Sequence, residues 1–76
     1  MNDLEVLTEI FREELDDPDL HVTREMTQED VSGWDSLAHV RLIARIEERY
    51  GFQFSLDEIE NATSVAAMLD AVSAQA

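Results

Sequence analysis

The stretch that decides the fold is "WDSLAHVRLIARIEERYG", Trp34 to Gly51. Within it Leu42, Ile43, Ile46 and Tyr50 recur at helical spacing and share one face. That is the pattern of an amphipathic helix packed on a core. Asp35 and Ser36 both carry a side-chain oxygen that can cap a helix start. Gly51 suits the left-handed conformation that closes a helix end. With both ends marked, the segment reads as a helix over Ser36–Tyr50.

Working outward toward the N-terminus, Asn2 and Glu5 have the spacing of a capping box, with Asn in place of Ser or Thr. Leu4, Leu7, Phe11 and Leu15 fall on one stripe, so a first helix is predicted over Asp3–Leu15. "DDPD" ends it, because Pro18 disfavours the α region for Asp17. Leu20 to Gly33 sustains no period. Leu20, Val22, Met26 and Val31 read as anchors for a long loop over the core, with a turn of helix near Thr27–Val31. So long a loop is unusual in a small domain and points to a recurrent architecture.

Toward the C-terminus, Phe52 and Phe54 of "FQFS" are expected to plug the core rather than build a sheet. Ser55 with Glu58 is a capping box that opens a short third helix to about Glu60. Thr63 or Ser64 caps the last helix, whose buried face is Val65, Met68, Leu69 and Val72. The tail "SAQA" is expected to fray. No internal repeat, low-complexity segment or linker interrupts the chain. The fold class is therefore all-α: a small four-helix bundle of three main helices plus a short third, in a single domain over 1–76.

Composition narrows the function. The chain has 76 residues and no cysteine, so neither a disulfide nor a thiolate metal site supports it. A chain of this size buries only about 60% of its unfolded surface. Eighteen acidic and five basic side chains give a net charge of −13, and all five basic residues are Arg. That balance argues against nucleic acid, whose phosphates demand cationic neutralisation. It favours basic protein partners and steered encounters. The opening "MNDLEVLTEI" is neither a signal nor a transit peptide. No apolar run approaches the roughly 20 residues of a membrane span. These features predict a soluble cytoplasmic protein.

Ser36 has two readings. A serine at a helix start is usually a cap. Asp35 could cap in its place, which would leave the hydroxyl available. A helix N-terminus offers unpaired N–H groups and partial positive charge, a favourable setting for a phosphate. Helix physics permits a phosphodiester on Ser36 without selecting it.

"DSL" at Asp35–Leu37, opening an amphipathic helix that ends "IEERYGFQF", resembles the acyl carrier protein family. The likeness extends over nearly the whole chain: first helix, long loop, serine-headed second helix, short helix before "NATSV", last helix. The resemblance implies that Ser36 receives 4′-phosphopantetheine from coenzyme A by the action of a phosphopantetheinyl transferase with magnesium. It implies that Asp35 supports metal and transferase contacts, and that Leu37 and Val40 touch partners. The group's terminal thiol would carry an acyl cargo as a thioester to acyl-loading and acyl-processing enzymes, in a fatty-acid, polyketide or related pathway. Such a carrier is not itself an enzyme, and a monomer suits its transient use. The resemblance also implies an acyl-sheltering groove between the second and third helices, lined by Leu42, Ile46, Phe54, Ile59 and Ala62.

Other chemistries are weaker. His39 lies three residues after Ser36, but no G-x-S-x-G elbow, orienting group or oxyanion hole accompanies it. It reads as a histidine satisfied at the core edge, or less readily as the rim of a cargo cleft. Asp16, Asp17 and Asp19 lack the glycine and distant Glu of an EF-hand loop, and His21 and His39 have no pair spacing, so no metal site is expected. Trp34 reads as a packing anchor. Peptidyl carriers usually have a small residue or His before the serine. Asp35 thus favours the acyl type, while D-alanyl (aminoacyl) carriage and an unmodified acidic interaction module stay open.

The second helix departs from the family pattern. Ala38 and Arg41 stand where acids are common, and Arg41, Arg45 and Arg49 recur every four residues opposite the core stripe. Their mutual repulsion costs a few tenths of a kcal/mol per pair. Residues 36–50 hold three Arg and two Glu, a net +1, whereas the rest of the chain carries −14. A solvated face is one account. The other is altered partner choice, with Arg41 and Arg45 selecting enzymes and Glu47 and Glu48 kept as family-like acidic contacts.

Overall fold

The computed structural model describes residues 2–75. Four helices follow in order: α1 (Asp3–Glu14), α2 (Ser36–Tyr50), α3 (Leu56–Asn61) and α4 (Val65–Ala74). The expected all-α bundle is what forms, and no strand occurs among the described residues. No described helix is long and apolar enough to cross a membrane.

Each helix starts on a side-chain cap. Asn2 Oδ1 accepts from Glu5 N–H at 2.9 Å, and Asp35 Oδ1 accepts from Ala38 N–H at 2.8 Å. Ser55 and Glu58 form the reciprocal capping box. Of the two candidates for the last helix, Ser64 caps it by accepting from Ala67 N–H. Gly51 ends α2 at φ 74°, the left-handed closure its position called for.

Two expectations are corrected, the Pro18 stop and the turn of helix near Thr27–Val31, and other boundaries are refined. The first helix closes at Glu14, because Asp16 takes φ 51°. Asp16 N–H then reaches Glu13 O and Asp17 N–H reaches Arg12 O at 3.0 Å, the paired bonds of a Schellman end. The chain has turned before Pro18 acts. The expected stripe does face the core: Leu7 and Phe11 are buried, Leu4 and Leu15 pack half-buried against it, and Val6 and Ile10 complete the buried face. At the Thr27–Val31 turn no helix forms, since Asp30 folds back to accept from both Thr27 N–H and Thr27 Oγ1. In the tail, helix continues through Ala74 with Gln75 as cap; Ala76 lies outside the described residues.

The core joins Leu7, Phe11, Leu42, Ile46, Val65 and Met68, each essentially fully buried. The last helix buries Val65, Met68, Leu69 and Val72 as its spacing indicates. The long loop is sewn to both flanks. Arg12 Nε donates to Leu20 O at 2.8 Å. Gln28 N–H donates to Thr63 O and Val65 N–H to Met26 O, a short antiparallel pairing around Thr27 and Ser64. Val22 and Val31 are buried, with Leu20 and Met26 packed against the core. The helix α3 is different: it buries none of its own residues.

Candidate functional site

The candidate site is the start of α2, where the loop delivers the chain to the core. Trp34 seats that junction. It is 2% exposed and meets Phe11 edge-on at 5.0 Å between ring centroids. Its indole lies nearly parallel to the His39 ring. With Trp34 fixed inside, the next residues turn outward: Asp35, Ser36 and Leu37 are all exposed.

The two cap candidates separate cleanly. Asp35 supplies the cap, and its backbone oxygen accepts from His39 N–H at 2.8 Å. The Ser36 hydroxyl engages no other described residue by hydrogen bond. It therefore stands at a helix start, solvent-accessible, beside N–H groups that the helix leaves unpaired. The partial positive charge there suits a phosphate ester.

His39 is held at both ring nitrogens. Trp34 Nε1–H can only donate, so at 3.0 Å it makes Nδ1 of His39 a bare acceptor. Nε2 then carries the proton and donates to Ile59 O at 2.8 Å. No ring lone pair is left to deprotonate Ser36, which removes the hydrolase geometry. Sequence placed His39 at the core edge, and it is 8% exposed. Its distant partner on α3 was not legible, because Ile59 is twenty residues away.

The other expected residues divide by exposure. Leu37, next to Ser36, and Val40, one turn beyond it, are 62% and 61% exposed. Arg41 and Glu48 are exposed on the same side. Arg45 does not point freely outward as its spacing suggested. It bridges Glu13 and Glu14 of α1 at 3.2 Å each, and those carboxylates, Glu14 first, raise its pKa against the opposing effect of burial. Glu47 is likewise engaged, accepting from Phe54 N–H at 2.7 Å. Both side chains brace the fold, a role that i,i+4 counting along one helix cannot reveal.

Of the expected groove residues, Leu42, Ile46, Phe54 and Ala62 belong to the packed core, and Ile59 packs against it. A largely apolar surface depression of about 350 Å³ also lies between α3 and α4, lined by Ala62, Ala67, Ala71 and Ala74 with Asp57, Glu58, Asn61 and Asp70 around them. Asp16, Asp17 and Asp19 lie at the α1 exit, where Asp19 N–H donates to Asp17 Oδ1. Among the described residues no cluster of three or more His, Asp or Glu is arranged to hold a metal.

Comparison with known proteins adds to this geometry. Residues 5–72 match the family described as "Phosphopantetheine attachment site". The chain is also similar to the holo acyl carrier protein of Geobacter metallireducens, known from a solution NMR structure. The two share 38% sequence identity and a TM-score of 0.87, over 97% of this chain and 85% of that one. Comparison with curated proteins gives no significant match.

Proposed function

The chain belongs to the acyl carrier protein family, and on that footing we propose that the Ser36 hydroxyl is where its 4′-phosphopantetheine group is attached. One observation carries the assignment: Asp35 takes over the cap, so Ser36 is exposed and uncommitted at the start of α2. The residues fit a phosphodiester, with unpaired N–H groups and the helix dipole favouring negative charge. When bound, the group supplies a flexible arm whose thiol holds cargo as a thioester. The protein supplies display and orientation, and acts as a carrier rather than a catalyst.

The chain's own residues account for the rest. Asp35 keeps the first turn formed and presents acid beside the hydroxyl, where a transferase and its metal would engage. Leu37 and Val40 offer an apolar contact next to the arm, flanked by Arg41 and Glu48. Charge complementarity at such a rim governs which partners associate and how fast. A net +1 helix on a −13 protein supports service in a dedicated biosynthetic pathway with its own acyl-processing enzymes. The carrier acts as a single-domain monomer in the cytoplasm.

Intact-mass measurement after incubation with coenzyme A and a broad-specificity phosphopantetheinyl transferase tests the attachment. Wild type gains the phosphopantetheine increment and Ser36→Ala gains none. A wild-type protein unchanged by a transferase that loads a control carrier would refute the assignment.

A further inference from the structure

We propose that His39 is the latch of α3: its bond to Ile59 O holds that helix closed on α2, and cargo enters between the two helices only when this bond breaks. The cargo part rests on the carrier reading above; the latch itself does not.

The helix α3 spans six residues and buries none of them. Little apolar packing therefore holds it, and local opening falls to the elements with the least burial. Its last carbonyls have no partners within the helix. Ala62 N–H takes Glu58 O, and Ile59 O is taken by His39 Nε2–H at 2.8 Å. This bond joins α3 directly to α2. The nearby Glu47–Phe54 bond holds only the connector.

The latch is set from the far side of the ring. Trp34 Nε1–H has a single role, donor, and so selects the Nε2–H form of His39. Trp34 is itself fixed against Phe11. The imidazole is thus braced on a rigid residue and aimed at a weakly held helix. Leu42, Ile46, Phe54 and Ala62 beneath are packed together, so a chain can lie among them only if α3 moves away. Cargo burial then costs the His39–Ile59 bond. Removing the bond shifts the population toward the open form that accepts cargo.

Two isosteres separate the ends of the ring. His39→Asn places its amide oxygen near the Nδ1 position, where it accepts from Trp34, but is too short for Ile59 O. His39→Gln places its amide nitrogen near Nε2 and restores the donor. In amide hydrogen exchange, residues 57–62 of the Asn variant exchange about fivefold faster than wild type, the effect of one ordinary hydrogen bond. In the Gln variant α3 exchanges close to wild type and more slowly than in the Asn variant, while the Trp34 Nε1–H left without its acceptor loosens only the junction at residues 34–39; α4 does not change in either. Nitrogen-15 imidazole correlations of wild type show Nε2 protonated and Nδ1 bare. Unchanged exchange in α3, a uniform rise throughout the bundle, or a protonated Nδ1 each overturns the latch.

The cargo arm loads each protein from octanoyl-coenzyme A with the transferase and follows thioester hydrolysis. Hydrolysis is slower in the Asn variant than in wild type or the Gln variant, because an unlatched helix admits the chain more readily. Equal or faster hydrolysis overturns the gating role even where exchange supports the latch. A wild-type protein that takes no octanoyl group overturns the attachment reading, and the exchange arm alone then judges the latch. Should the Asn variant fail to fold, His39→Thr, also too short for Ile59 O, makes the same comparison against Gln.

Discussion

Asp35 and Ser36 are adjacent, exposed and chemically able to do the same job, yet only one does it. Asp35 Oδ1 takes the Ala38 N–H, so the two residues have separable effects. Asp35→Ala should cost about 1 kcal/mol of stability, the usual value of a cap. Ser36→Ala should stay within about 0.5 kcal/mol, as surface changes without a bonding role do, while abolishing loading. Urea unfolding of both variants, beside the mass assay, checks the division; an equal loss in both would mean that Ser36 shares the cap. Asp16 poses a different residue-scale question. Its φ of 51° is costly for a side chain with a Cβ, although Asp tolerates it better than most. Asp16→Gly should therefore stabilise the protein by up to about 1 kcal/mol, less what glycine adds to unfolded-state entropy. A lower urea midpoint would show that the Asp side chain contributes more there than its backbone strain removes.

Elements were legible where their determinants are local. Both ends of α2 could be read because Asp35 and Gly51 sit within one turn of the boundary and act by their own conformation. The Ser55–Glu58 box announced α3 for the same reason. What escaped the sequence is non-local: the pairing of Met26 and Gln28 with the start of α4, the Arg45 bridge to α1, and the His39–Ile59 bond. Each depends on how separate elements dock, which periodicity within one element does not encode. Docking also ties the end of α2 to the start of α1. Tyr50 Oη donates to Asp3 Oδ1 at 2.9 Å. Burial first, then the Asp3 hydrogen bond and charge, push the phenol up to about 12, with Arg49 opposing. A raised folded pKa favours the neutral phenol, so this contribution is complete below pH 10. It is lost as pH rises from about 10 through about 12. Stability of wild type should fall more steeply in that window than stability of Tyr50→Phe, measured by urea unfolding at stepped pH. Parallel curves would mean that the phenol ionises as readily in the folded state as in the unfolded chain.

At the scale of the whole molecule, charge is sorted rather than spread. Arg12 and Arg45 tie loop and helix to α1, and Arg24 pairs with Asp70 at 3.1 Å. Arg41 and Arg49 form no ion pair among the described residues, and Arg41 lies one turn from Ser36 beside exposed Leu37 and Val40. A partner approaching the start of α2 therefore meets a cation and two apolar side chains on an otherwise anionic protein. Long-range attraction is set by the −13 total and local fit by that small face, so the two can be tested apart. Arg41→Glu changes the total little and should leave stability within about 0.5 kcal/mol. It should nevertheless slow acyl transfer by the cognate enzyme, by about tenfold at low salt if one close charge pair is reversed. Salt should shrink the deficit, since an exposed pair is screened within about 10 Å at 0.1 M. The comparison with Arg49→Glu, farther along α2, is decisive. Equal slowing in both would assign the effect to net charge, and slowing confined to Arg41→Glu would assign it to the face beside Ser36.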